Sequence, residues 1–169
     1  MRFISSDTNV WIDFSVIHRI QLPFRLPCTY IMSKDAVEDE LLSPPGLGAV
    51  LKEYGLLPVE ITVEEFFLAQ RYGAVYNRLS TYDRIALAIA KERHITLLTG
   101  DGALRKAAVR EGVPLIGTLG ILDQLFSDGM ISAEELMDCL EKLKENNGGA
   151  VRLPAAEIDR RLAALRDHR

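Results

Sequence analysis

Four carboxylates in this chain occupy positions from which they could act together: Asp7, Glu40, Asp83 and Asp101. Each follows a different apolar run of strand-like character, so each is expected at a junction where a strand hands over to a helix. Carboxylates gathered within a few ångströms raise one another's pKa and cannot all stay ionised without a cation. A divalent ion resolves that conflict. An all-oxygen donor set suits Mg²⁺ or Mn²⁺, whereas Zn²⁺ would favour the His or Cys that these positions lack. Taken singly, each acid also has a plain structural reading. Asp83 fits the reciprocal acid of a capping box opened by Ser80, Asp101 fits the cap of a helix starting at Gly102, and Glu40 fits a partly exposed helix charge. Glu38 and Asp39 compete with Glu40, and only helical phase separates them, since Val37, Glu40 and Leu41 share one face. The stretch Ser5 to Phe14, SSDTNVWIDF, packs several polar residues ahead of a helical run; Thr8 or Asn9 would suffice as an N-cap, which leaves Asp7 to be explained. Asp13 reads as an exposed helix acid.

The elements that must position these groups follow from periodicity. Strands are expected at Phe3 to Ser5, Thr29 to Met32, Pro58 to Thr62, Ile95 to Thr99 and Val113 to Ile116. Helices are expected at Val10 to Arg19, Ser33 to Leu42, Val63 to Leu79, Tyr82 to Arg93 and Gly102 to Glu111. Strand and helix in strict rotation argue for an α/β fold, a three-layer α/β/α sandwich around a parallel sheet. In such a sheet, functional groups collect beyond the carboxyl ends of the strands, which would bring the four acids to one rim. Thr62 with Glu65 and Ser80 with Asp83 are capping-box pairs. The segment Ser43-Pro44-Pro45-Gly46-Leu47-Gly48 reads as a loop; Leu51 stands where a dinucleotide fingerprint would need its third glycine.

Residues 1–128 are expected to form this domain and residues 129–169 a helical extension. In the extension, Leu136, Leu140 and Leu143 form one apolar stripe and Ile158, Leu162 and Leu165 another, the last helix starting near Pro154. These stripes are expected to pack on the domain itself, with a second copy or a partner helix as the alternatives.

Composition narrows little further. Twenty basic against 24 acidic side chains in 169 residues give a net charge of −4, so any polyanion must be met by a local basic patch. Cys28 and Cys139 match no metal spacing and read as reduced packing residues. No signal-peptide core and no apolar run near the roughly 18 residues of a membrane span are present, so a cytoplasmic protein is expected. Of the histidines, His94 is expected at the end of its helix and His168 in a loose tail, while His18 has no assigned role.

With the acids in hand, the chain resembles the PIN-domain family of nucleases, in particular its small prokaryotic branch of VapC-type toxin ribonucleases. The matching stretches are Asp7-Thr8-Asn9-Val10-Trp11-Ile12-Asp13, Val37 to Leu41, Asp83 to Ala90 and Leu98-Thr99-Gly100-Asp101, with Gly117 to Leu122 near the close of the domain. The resemblance implies that Asp7, Glu40, Asp83 and Asp101 are a catalytic metal-binding quartet, supported by Thr8, Asn9 and Thr99. It implies Mg²⁺- or Mn²⁺-dependent cleavage of RNA and a cognate antitoxin; a homodimer is expected beside these. RNA would then be held by Arg84, Arg105, Lys106 and Arg110, residues that otherwise read as a solvated helix face. Two other readings are a PIN-like nucleic-acid-binding or regulatory module without strong cleavage, and a phosphohydrolase with Asp7 as covalent nucleophile. The latter is disfavoured because Asn9 stands where a general acid would be needed.

Overall fold

In a computed structural model that describes residues 2–167, five parallel strands form one sheet in the order β3-β2-β1-β4-β5. The strands are β1 (Arg2–Ser6), β2 (Cys28–Ser33), β3 (Leu57–Val59), β4 (Thr96–Leu98) and β5 (Leu115–Ile116). The helices are α1 (Thr8–Val16), α2 (Lys34–Glu40), α3 (Leu47–Tyr54), α4 (Val63–Val75), α5 (Thr81–Arg93), α6 (Gly102–Glu111), α7 (Thr118–Ser127), α8 (Ala133–Asn146) and α9 (Ala155–Asp167). The chain first builds outward from β1 through β2 to β3, then returns to the other side of β1 for β4 and β5. That reversal opens a crevice at the carboxyl ends of β1 and β4. Ser6 pairs with Leu98, and the Asp7 amide donates to the Leu98 carbonyl at 2.9 Å, carrying the register one residue beyond the strand.

Alternation along the strands divides the core into two layers. Ile4 and Leu98 face a cluster shared with α1, α2, α3 and α7, whereas Leu97 faces the cluster of α4, α5 and α6. Ser5, between Ile4 and Ser6, donates its hydroxyl to the Ala86 carbonyl of α5 at 2.9 Å. Ser6 points the other way and accepts from Trp11 Nε1 at 3.1 Å. Trp11 in turn stacks on Phe24 with ring centroids 5.2 Å apart and meets the edge of Tyr30 at 5.1 Å, which fixes α1 against β2. The extension packs into the first layer. Leu136, Leu140 and Leu143 of α8 and Ile158 and Leu162 of α9 belong to the same buried cluster as Leu119, Leu122 and Leu125 of α7.

The structure departs from the sequence reading at α3, where the segment through Gly48 is expected to be loop. Gly46 takes a left-handed φ of 84°, a conformation cheap only for glycine, and the helix begins at the next residue. Leu47 and Leu51 then bury one face, and Gly48 lies under Val37, whose carbonyl oxygen is 3.5 Å from the position of a Cβ. Both capping boxes form as expected, at Thr62/Glu65 and Ser80/Asp83. His94 closes α5 in the left-handed region at φ 55°, His18 follows α1 with φ 56°, and His168 lies outside the described residues. Cys28 and Cys139 are free thiols.

Candidate functional site

The acids are set by helix starts. Asp7 follows β1 and N-caps α1, its Oδ1 accepting from the Thr8 amide at 2.8 Å. Asp101 follows β4 and N-caps α6, its Oδ2 accepting from the Leu104 amide at 2.9 Å. Asp83 is the third residue of α5, its Oδ2 accepting from the Ser80 amide at 3.0 Å, so it follows helix α4 and not a strand as expected. Capping therefore places these acids, and one cap role does not exclude a second function for the remaining oxygens. Glu40 ends α2 half-buried, while Glu38 and Asp39 are exposed, as helical phase predicts.

Two threonines tie these junctions together. Thr99, fully buried, donates to Asp7 Oδ2 at 3.0 Å and accepts from the Asp101 amide at 3.1 Å. Thr8 donates its hydroxyl to Glu40 Oε1 at 2.9 Å. A continuous chain of hydrogen bonds thus runs Glu40, Thr8, Asp7, Thr99, Asp101. Asn9 is exposed and lines the cavity beside Asp101.

Burial and neighbouring charge bear on these carboxyls together. Asp7 is 5% exposed. Burial, and then the Asp83 and Glu40 charges, push its carboxyl up from 3.8 to about 7, against the bonds from Thr99 and Thr8. Glu40 is raised by burial and by Asp83 and Asp39, with the Thr8 bond opposing. Asp83 is raised by burial and by Asp101, opposed by its Ser80 bonds and by Arg84. Among the described residues, none of the four acids forms an ion pair.

The donor set has the chemistry of a hard-cation site: carboxylate oxygens, one of them deeply buried, with no internal cation. Yet among the described residues no three acidic, His or Cys side chains stand so that they could hold a metal ion as they are. The first concerns which donors are present, the second how their oxygens stand in this structure. It is by the chemistry of the donor set that the residues fit a divalent ion.

A family model described as a PIN domain matches residues 3–166. The chain belongs to the PIN-domain family. No curated protein and no solved structure is significantly similar to it. PIN domains are generally nucleases and usually use divalent metals. The match runs through α9, so the last helices lie within the span of the family model.

One acid of this PIN domain departs from expectation. Asp13 is not an exposed helix charge but is 5% exposed, accepting from Thr118 Oγ1 at 2.6 Å, and burial pushes its carboxyl up to about 6 against that bond. Val10, Asp13 and Phe14 stand three and four apart on the buried stripe of α1, so the phase argument that selects Glu40 also identifies Asp13. Asp13 lines a cavity of about 380 Å³ with Asn9 and Asp101 on one side and Gly149, Ala150 and Arg152 on the other. The residues Gly149 to Arg152 carry no sequence signal of proximity to the acids.

The basic residues do not form one patch. Arg105 and Lys106 line a second cavity of about 810 Å³ that adjoins the first through Gly100, Gly102 and Arg152. Arg105 Nη1 also donates to the Thr99 carbonyl at 3.1 Å. Arg110 lies over the Tyr76 ring, 5.4 Å from its centroid, and borders a separate cavity with Lys106 and Arg78. Arg84 turns its guanidinium onto Gly73 of α4, where Nη1 is 2.8 Å from the position of a Cβ.

Proposed function

We propose that this PIN domain is a metal-dependent endoribonuclease that hydrolyses RNA phosphodiester bonds with Mg²⁺ or Mn²⁺ held by Asp7, Glu40, Asp83 and Asp101. The observation that supports this reading is that Glu40, Asp7 and Asp101 share one hydrogen-bond chain through Thr8 and Thr99, that Asp83 bears electrostatically on Asp7 and Glu40, and that none of the four has an ion pair among the described residues. Bound there, a divalent ion would polarise the phosphate and lower the pKa of a water molecule. The chain's own residues do the rest. Thr99 and Thr8 hold Asp7 and Glu40 in place through hydroxyl hydrogen bonds. Asp83 and Asp101 each spend one oxygen on a helix cap, and the Oδ1 of one of them orients the attacking water and takes its proton as it adds to phosphorus and the P–O bond to the leaving nucleotide breaks. Arg105 and Lys106 face the strand from the adjoining cavity.

The same reading makes the protein a VapC-like toxin checked by an antitoxin, acting in the cytoplasm as a homodimer. The motif likeness supports the toxin role. For the dimer, the exposed face of α4, where Phe66 is 46% and Phe67 54% exposed, supplies an apolar surface. No described helix is long and apolar enough to cross a membrane.

Incubating mixed cellular RNA with the protein and Mn²⁺, beside Asp7→Asn, tests the reading. Cleavage by the wild type and loss in the variant is the expected result. Cleavage by both or by neither contradicts it, and RNA binding without cleavage favours a binding module.

A further inference from the structure

The nuclease reading leaves the turn between α8 and α9 without a role, although the fold holds it firmly. Asn147 clasps it from within, Nδ2 donating to the Leu153 carbonyl at 2.9 Å and Oδ1 accepting from the Leu153 amide at 2.8 Å. Gly148 N donates to the Val151 carbonyl at 2.8 Å, and Val151 N to the Asn146 carbonyl at 3.3 Å. Val151 is fully buried, and Leu153 Cδ2 lies 3.8 Å from the position of a Cβ on Gly100, the residue before Asp101. The turn is therefore anchored on both sides of Arg152, whose own side chain is exposed.

Arg152 stands where the acidic cavity opens into the basic one and borders both. Its neighbour Arg161 is already committed, donating Nε and Nη2 to the Asp123 carboxylate at 2.9 and 2.7 Å and Nη1 to Glu157 at 2.9 Å. Arg152 makes no hydrogen bond or ion pair with any described residue. A polyanion approaching the acids is repelled by them and needs fixed cations beside them. A guanidinium matches a phosphate with two parallel N–H donors, and the rigid turn has already met much of the ordering cost.

We infer that the α8–α9 turn is the second jaw of the site and that Arg152 is a substrate-positioning residue, binding a backbone phosphate of single-stranded RNA that flanks the one cut at the acids. The inference rests on the nuclease reading and deepens it. It is tested on the full chain with Mn²⁺ and a fluorescent single-stranded RNA, comparing wild type, Arg152→Ala, Arg152→Lys and Arg166→Ala, the last an exposed α9 residue outside both cavities. Arg152→Ala raises KM about tenfold with kcat within about twofold. Its plot of log KM against log salt flattens by about 0.7, the share of one single-strand phosphate. Arg152→Lys restores the salt slope and part of the KM, Arg166→Ala matches wild type, and all melt alike. Wild-type KM and salt slope in Arg152→Ala overturn the inference while leaving the nuclease intact. A KM defect accompanied by a lowered melting temperature and no rescue by Lys overturns it in favour of a structural role. No cleavage by the wild type overturns the nuclease reading and this inference with it.

Discussion

Helix α5 has a buried carboxylate near each end, and the two are handled in opposite ways. At its C-terminal end Glu65 is 1% exposed and fully compensated: Arg93 donates Nε at 2.7 Å and Nη2 at 3.0 Å, and the Thr62 amide donates at 2.8 Å. Burial alone would raise its pKa, but Arg93 and Thr62 hold it below the usual range. At the N-terminal end Asp7 is 5% exposed and receives only neutral donors, while Asp83 and Glu40 add negative charge. An arginine adjoins Asp83 in sequence, yet Arg84 lays its guanidinium on α4. One end of the helix thus meets a buried acid paired with a cation of the chain, and the other end meets a buried acid with no such partner. The first arrangement serves stability; the second costs stability, as functional sites commonly do.

Four measurements sharpen or break this contrast. The largest effect is on pH dependence. Folded Asp7 titrates at about 7 against an ordinary 3.8, so the folded state binds this proton more tightly than the unfolded state. Stability of the metal-free protein must therefore fall as pH rises through that window and level off above it, by up to about 4 kcal/mol. Urea denaturation in EDTA at pH 5 and pH 8 shows the fall in wild type. Asp7→Asn loses most of it and keeps a smaller part from Asp13, which titrates at about 6 when folded. A flat wild-type profile contradicts the contrast. Next, Arg93→Met leaves Glu65 buried without its cation and costs about 2 kcal/mol, below the full figure for buried pairs because Arg93 is 31% exposed. Unchanged denaturation would make the two ends alike. Thr118→Val removes the donor to buried Asp13 and costs about 1–2 kcal/mol, read by the same denaturation; unchanged stability would show that Asp13 does not depend on that bond. Smallest is Gly73→Ala, which gains about 0.5 kcal/mol of helix stability if the Arg84 guanidinium shifts away from the new Cβ; a clear destabilisation would show that Arg84 is held there.

The parallel sheet is legible because short apolar runs and helical periods alternate strictly; Asp83 and Asp101 are legible through local capping patterns and Glu40 through helical phase, while the cap of α1 is Asp7 and not the expected Thr8 or Asn9. Helix α3 is hidden because Gly46 starts it by a left-handed turn that composition alone reads as loop. Asp13 is hidden only by an assumption about charge, since its helical phase points inward. The approach of Arg152 to the acids is of another kind. It depends on Leu153 packing on Gly100 and on Asn147 closing a turn, contacts that link residues far apart in the chain and leave no period or spacing to read.

The most direct test of the account is a calorimetric titration of the purified protein with Mn²⁺ at pH 8, beside Asp7→Asn. One ion bound per chain in the wild type, with binding lost in the variant, is the predicted result. A wild type that binds no ion at millimolar concentration, or a variant that binds as well as wild type, would contradict the claim that the acids at the β1/β4 crevice await a cation from outside.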